Sequence, residues 1–218
     1  MIGTRTPFRM SFIGGGSDMK EFYSIKPGCV ISATINKYMY IFVHPYFDNR
    51  IQIKYSKTEL VERIEDIKHP IVREVLKKIN MMGIDINSIA DIPAGTGLGS
   101  SSSYTVGLLH ALYNYTGQQV SAERLAREAC EIEIDILKEP IGKQDQYASS
   151  FGGMNLIRFF PTGEVDVEPI IMPPEVYEKL QDNLLLFYTG TTRSASKVLN
   201  DQKNNLINDP SKFDIQVQ

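Results

Sequence analysis

The sequence predicts an α+β fold. Three observations carry that expectation. Strand-like and helix-like segments mix without a regular βαβα alternation, a glycine-rich loop joins a strand to a strongly apolar helix, and 42% hydrophobic against 22% charged residues suffices to bury a core. The 218 residues allow one sizeable domain, or one domain and the beginning of a second. The formal net charge is −3, with no basic stripe of the kind a nucleic-acid binder needs. A site for a phosphorylated ligand must therefore gather its positive charge locally.

The elements read in order as follows. Segment 5–13 is a strand running into a turn at Gly14-Gly15-Gly16, and 29–36, 39–44 and 50–55 are β-branched, aromatic and partly alternating, which gives three more strands. Residues 57–80 read as helical, with a break at Pro70, and 84–92 as a strand. A loop over 93–99 opens a helix over 100–115, ended by Gly117. Ser121 is a suitable N-cap for a helix over 122–137, with Glu123 in its first turn. A short helix is expected at 144–150, strands near 153–160, 164–171 and 183–188, and a last helix over 192–206.

Cys29 and Cys130 are far apart, neither lies in a CxxC pair, and no His stands at zinc-ligand spacing. They read as reduced thiols of a cytoplasmic protein. Met1-Ile2-Gly3-Thr4-Arg5 begins no apolar targeting segment, and no apolar run is long enough to span a bilayer, so no membrane partner is expected.

The most informative segment is Pro93 to Ser103, PAGTGLGSSSS. Its glycines let backbone N–H groups approach a phosphate, the following helix N-terminus adds unpaired N–H groups and a favourable dipole, and the serine hydroxyls can reach a phosphate oxygen or Mg2+. No Lys follows the last glycine, so the loop is not of the Walker A type. The plainer reading is a flexible Gly/Ser loop with a serine cap.

In the next helix Leu125, Ala129, Ile132 and Ile136 share one face. At ~100° per residue Glu133 falls at the edge of that face, where a carboxylate can be half buried and aimed at a ligand, while Glu131 points away. Ile134, opposite the core face, weakens the amphipathic pattern. Asp145 lies in the polar stretch Gly142-Lys143-Gln144-Asp145-Gln146-Tyr147, where an Asp by itself is usually a cap or turn residue. Arg9 is a fork-shaped donor suited to phosphoryl or carboxylate oxygens, or plainly a strand arginine paired with an acid. Asp18 can accept hydrogen bonds from two sugar hydroxyls or cap a helix over 19–24.

Together these segments resemble the GHMP kinases, a family of small-molecule kinases. PAGTGLGSSSS is similar to the family's second motif, the loop that wraps the triphosphate of ATP, which implies nucleotide contacts from Pro93, Gly95, Gly97, Leu98, Gly99, Ser100, Ser101 and Ser102. The family's Mg2+ serine falls on Ser101, and its Mg2+ glutamate, seven residues before a proline, falls on Glu133 before Pro140. The proline–x–glycine–x–x–Asp segment places the family's catalytic aspartate at Asp145, which accepts or orients the attacking hydroxyl proton. The first motif, proline–x–Arg, then glycine, then Asp, falls on Arg9, Ser17 and Asp18. Arg9 is thereby implied in catalysis, and Arg9, Ser17, Asp18 and Asp145 in holding the acceptor. Arg193, in Tyr188-Thr189-Gly190-Thr191-Thr192-Arg193-Ser194, is similar to an arginine that faces the active site from the family's C-terminal half; a plain surface role is the alternative.

The resemblance implies a ribosomal-protein-like βαβ two-layer N-terminal ATP and substrate domain over 1–188, and over 189–218 the start of a ferredoxin-like C-terminal domain, most of which lies outside this sequence with its third motif. It implies ATP and Mg2+ as cofactors and a small-molecule sugar phosphate as partner; no nucleic acid is expected, and a homodimer is the candidate assembly. Gly15-Gly16 stands where galactokinases carry Glu-His, which argues against galactose. The triple glycine before Ser17-Asp18, with PIGKQDQY and YTGTTRSAS, is most similar to the branch that phosphorylates the anomeric hydroxyl of D-glycero-D-manno-heptose 7-phosphate on the way to surface polysaccharide. A fucokinase-like enzyme, a non-catalytic ATP and sugar sensor, and an interaction module without a nucleotide site are the alternatives. Retention of both Glu133 and Asp145 favours an enzyme.

Overall fold

A computed structural model of the chain describes residues 1–187. Its elements run β1 (Ile2–Ile13), α1 (Lys20–Tyr23), β2 (Gly28–Pro45), β3 (Ile51–Lys54), β4 (Thr58–Val61), a 3-10 turn (Ile64–Asp66), α2 (Pro70–Ile79), β5 (Ile84–Ala90), α3 (Ser100–Tyr115), α4 (Ala122–Cys130), a π-helical turn (Glu131–Ile136), α5 (Gln144–Phe151), β6 (Met154–Phe159), β7 (Val165–Pro169) and α6 (Pro174–Asp182). Strands and helices are mixed in an α+β order.

One seven-stranded sheet runs β4-β3-β5-β2-β6-β7, with β1 also paired to β2. β2 is its spine. One edge of β2 holds β1 antiparallel from Ile2↔Val43 to Ile13↔Ile31. The other edge holds β6 over 28–33 and β5 over 39–45. β3 and β5 are the parallel pair, joined through β4 and α2. The sheet's inward positions follow the two-residue alternation of a half-covered sheet: Phe8 on β1, Ile41 and Val43 on β2, Ile51 and Ile53 on β3, Ile84 and Ile86 on β5, all fully buried. Val72, Val75 and Leu76 of α2, Leu108, Leu109 and Leu112 of α3, and Leu125, Ala129 and Ile132 complete that core as a helical layer. Each such side chain contributes about 1.5–3 kcal/mol on burial. A second cluster under β6 joins Tyr23, Val30, Ala126, Cys130, Tyr147, Ile157 and Phe159.

Three expectations are corrected. Residues 58–61 form a strand rather than helix: β4 pairs with β3, and the helix begins only at Pro70, whose missing N–H and fixed φ suit the first helical turn. The two strands expected at 29–36 and 39–44 are one continuous strand. The expected strand at 183–188 is absent from its described part, since α6 runs to Asp182 and 184–187 carry no regular structure. The expected helix over 192–206 and the 189–218 segment lie outside the described residues.

Among the described residues no helix is long and apolar enough to cross a membrane. No residue of α6 is buried. α6 and the leucines at 184–186 border a groove of about 650 Å3 against Met10, Phe12 and Tyr38, whose lining includes neither Arg9 nor Asp145.

Candidate active site

The loop after β5 takes its shape from its glycines. Gly95, Gly97 and Gly99 have φ of +80°, +75° and +76°. Alternating left-handed residues turn successive backbone N–H groups toward one side, which makes an anion-binding concavity. Gly99 is the N-cap of α3, and Ser103 N, donating to Gly99 O at 2.9 Å, is the first helical hydrogen bond. The N–H groups of the preceding turn have no intrahelical acceptor and open toward the loop, with the helix dipole behind them. Gly97 and Pro93 are exposed, Leu98 is half-buried against the main core, and Ser102 is buried.

Arg9 binds this loop to the rest of the site. Its backbone N donates to Leu98 O at 3.1 Å and its guanidinium donates to Gly97 O at 2.7 Å. Nε and the second amino group both reach Asp145 Oδ1 at 2.6 Å. The pair keeps solvent access, with side chains 14% and 26% exposed. The β1 register shifts between Pro7 and Arg9, so the arginine sits at an irregularity where the strand re-aims its side chains.

Ser101 and Glu133 meet from different helices. Ser101 Oγ donates to Glu133 Oε1 at 2.7 Å. Ser101 is exposed at the loop, while Glu133 is wholly buried, further in than the half-buried edge position expected from a regular helix. The cause is the π-helical turn over Glu131–Ile136, closed by Leu137 N on Ile132 O at 2.9 Å. A wider turn changes the phase of the side chains, and such turns recur at functional sites. Ile134 packs against the second core cluster. Burial pushes the Glu133 pKa up, opposed by hydrogen bonds from Ser101, Gln146 and Ser102. Two hard oxygen donors already adjacent, one of them a carboxylate, suit Mg2+, which takes few protein ligands. The loop's N–H groups suit the phosphates of a nucleotide.

Asp18 is held by two backbone N–H groups. It does not cap α1, whose N-cap is Met19. Asp18 Oδ1 accepts from Gly16 N at 3.0 Å and Oδ2 accepts from Gln144 N at 3.0 Å, so the carboxylate caps the start of α5, one residue before Asp145. It is 7% exposed, and burial raises its pKa against those N–H groups. A methyl group on Gly142 would overlap Asp18 Oδ2, so only glycine lets the two segments approach this closely. Ser17 Oγ lies between Gly14 O at 2.7 Å and Cys29 O at 2.9 Å. The charge of Asp145 adds to the upward shift of both Asp18 and Glu133, which places three carboxylates in one neighbourhood.

Lys143 donates from Nζ to Gly163 O at 2.6 Å and stands 5.0 Å from the Tyr23 ring centroid, tying the β6–β7 turn to α5. Arg193 lies outside the described residues. The sequence reading missed Gln146, which is fully buried and donates to Glu133 Oε2 at 2.7 Å. Nothing in its local spacing distinguishes it, because its partner is on another helix.

Residues 54–153 match the family model described as the GHMP kinases N terminal domain. Over those residues the chain resembles a GHMP kinase N-terminal domain. The match spans the glycine loop, Ser101, Glu133 and Asp145; Arg9, Ser17 and Asp18 precede it. The chain is similar to the D-glycero-alpha-D-manno-heptose 7-phosphate kinase of Campylobacter jejuni, with 29% identity over 94% of this chain and 64% of that protein. It is also similar to the bifunctional fucokinase/GDP-fucose pyrophosphorylase of Arabidopsis thaliana, with 24% identity over 92% of this chain and 22% of that protein. The chain thus spans less than two thirds of the length of these curated relatives. Among solved structures, a D-glycero-D-manno-heptose 1-phosphate kinase from Bacteriodes thetaiotaomicron shares the GHMP kinase fold at TM-score 0.80 and 26% identity, over 98% of this chain and 73% of that one. The two heptose kinases are named for different phosphate positions.

Proposed function

We propose that this GHMP kinase domain belongs to an ATP- and Mg2+-dependent sugar kinase, and that the acceptor is D-glycero-D-manno-heptose 7-phosphate, phosphorylated on its anomeric hydroxyl. The observation that carries the reading is the Arg9–Asp145 pair at 2.6 Å, fastened by the same arginine to Gly97 O. It sets a carboxylate beside a phosphate-binding loop, where an acceptor hydroxyl and a terminal phosphoryl group must meet.

In this reading Gly95, Gly97, Gly99, Ser100 and the first turn of α3 hold the phosphates through backbone N–H groups. Ser101 and Glu133 hold Mg2+, which neutralises charge on the phosphate oxygens. Asp145 orients the acceptor hydroxyl and takes its proton as the new oxygen–phosphorus bond forms and the bond to the ADP oxygen breaks. Arg9 holds Asp145 in place and supplies positive charge on the transferring group. Asp18 positions α5 through Gln144 N, and its remaining lone pairs can still accept from an acceptor hydroxyl. The name of the Campylobacter jejuni relative supports a heptose 7-phosphate.

The test is phosphoryl transfer by the full-length protein to a panel of heptose 7-phosphate, heptose 1-phosphate, fucose and galactose. The expected outcome is the highest kcat/KM with heptose 7-phosphate and a 1,7-bisphosphate product. A higher kcat/KM for a free hexose or for the 1-phosphate overturns the acceptor. Stabilisation by Mg·ATP without transfer to any sugar reduces the protein to a binding module.

A further inference from the structure

We propose that Gln146 is a positioning residue for the metal carboxylate: it pins one oxygen of Glu133 so that the other faces Ser101. The proposal rests on the kinase reading above. Gln146 is fully buried, and its Nε2 donates to Glu133 Oε2 at 2.7 Å while Ser101 Oγ donates to Oε1 at 2.7 Å. Each carboxylate oxygen thus has its own donor, one from α5 and one from α3. The terminal torsion of a glutamate is soft and nearly two-fold. With one oxygen pinned, the direction of the other is set; without the amide, the carboxylate is free to turn.

Packing does not account for an amide here. Gln146 Oε1 is buried with no hydrogen-bond partner, and an unsatisfied buried polar atom costs about 1–3 kcal/mol. A methionine would fill the same volume without that penalty. Gln146 stands next to Asp145 on α5, turned about 100° from it along the helix. One helix therefore presents Asp145 outward to Arg9 and Gln146 inward to Glu133. α5 fixes the proton-accepting carboxylate and the metal-binding carboxylate together.

The experiment measures Mn2+ binding to the full-length protein with ADP present, by electron paramagnetic resonance of free Mn2+, in the wild type, Gln146→Met and Gln146→Leu. Replacing the hydrogen-bond partner of a metal ligand weakens metal affinity by roughly 10–100-fold, and that is the expected rise in Kd for both variants. Metal-free ADP affinity should stay near wild type, which a merely structural loss would not leave alone, while the thermal midpoint in chelator falls with the loss of one buried hydrogen bond. An exchanged pair, Glu133→Gln with Gln146→Glu, restores the hydrogen bond and the thermal midpoint but not Mn2+ affinity. Unchanged Mn2+ affinity in either single variant overturns the proposal, as does a parallel loss of metal-free ADP affinity. Should Gln146→Met fail to fold, Gln146→Leu, which also removes the donor, decides alone. A wild type that binds neither Mn2+ nor ADP brings down the kinase reading itself, an outcome distinct from a wild type and variants that bind equally.

Discussion

Gly99 lies against Asp145: a Cβ on Gly99 would stand 3.2 Å from Asp145 Oδ2 and 3.4 Å from Arg9 Cγ. The end of the glycine loop can touch the carboxylate only because residue 99 has no side chain.

Gly99→Ala and Gly97→Ala should therefore differ. Both place an L-residue at positive φ, a strain of roughly 1–2 kcal/mol. At Gly97 the added Cβ meets nothing within 4 Å, whereas at Gly99 it pushes on Asp145 and Arg9. Gly99→Ala should lower kcat at least tenfold more than Gly97→Ala, with similar thermal midpoints. Steady-state kinetics of the full-length protein check this, and equal losses count against the contact.

Ser101→Ala and Glu133→Gln should each raise the Mg2+ concentration needed for half-maximal activity. Because the two side chains already share a hydrogen bond of 2.7 Å, the double variant should lose much less than the two single losses combined. Fully additive losses in a Mg2+ titration would argue that they serve different ligands.

Asp145→Asn should reduce turnover by roughly 10²–10⁴-fold, the range for a positioned acid–base group, with ATP affinity little changed. Arg9→Lys should affect both. A lysine cannot reproduce the fork that holds Asp145 Oδ1 and Gly97 O at once, so kcat falls and the KM for ATP rises together. Near-normal turnover in Asp145→Asn would mean the proton leaves by another route.

His69 gives the chain an acid-sensitive point away from the site. Its ring stacks on Tyr104 at 4.9 Å and meets Tyr55 edge-on at 4.8 Å, and burial lowers its pKa from 6.5 against the pull of Glu59. Below about pH 6.5 the unfolded chain binds this proton more readily than the folded one, so the stability it contributes is present above that pH and lost as pH falls. Thermal midpoints measured from pH 7.5 to 5 should fall for the wild type and fall less for His69→Phe, which keeps the stacking and cannot titrate. Identical pH profiles would remove His69 from the account.

The parts legible in the sequence are those fixed by local chemistry. Pro70 starts α2, Ser121 caps α4 by accepting from Arg124 N, and the glycines before Ser100 break the chain ahead of α3. The parts that were not legible depend on distant partners. Lys57 to Arg63 is rich in helix formers, yet 58–61 extends because β3 supplies a pairing edge. Glu59 is then buried with both oxygens on the N–H groups of Lys68 and His69 and the Tyr55 hydroxyl. The break expected at Lys37-Tyr38 between two strands does not occur, because Pro7↔Tyr38 and Arg9↔Thr34 carry β1 past it. In the candidate site, a 3.6-residue period leaves Glu133 at the edge of its face; a single π-turn buries it. The Asp18 cap on Gln144 spans 126 positions, beyond any window of local pattern.

The continuous β2 strand bears on how this protein could be divided. The β5 partner that leads into the phosphate loop sits on residues 39–45, and the β6 partner that follows α5 sits on residues 28–33 of the same strand. A break in the chain within β2 would leave two fragments each lacking half of a shared backbone. The segment bearing the glycine loop and the segment bearing α5 are therefore not exchangeable modules. Circular permutation or insertion is better placed at the exposed tip around Phe47, where the chain leaves β2 without interrupting it.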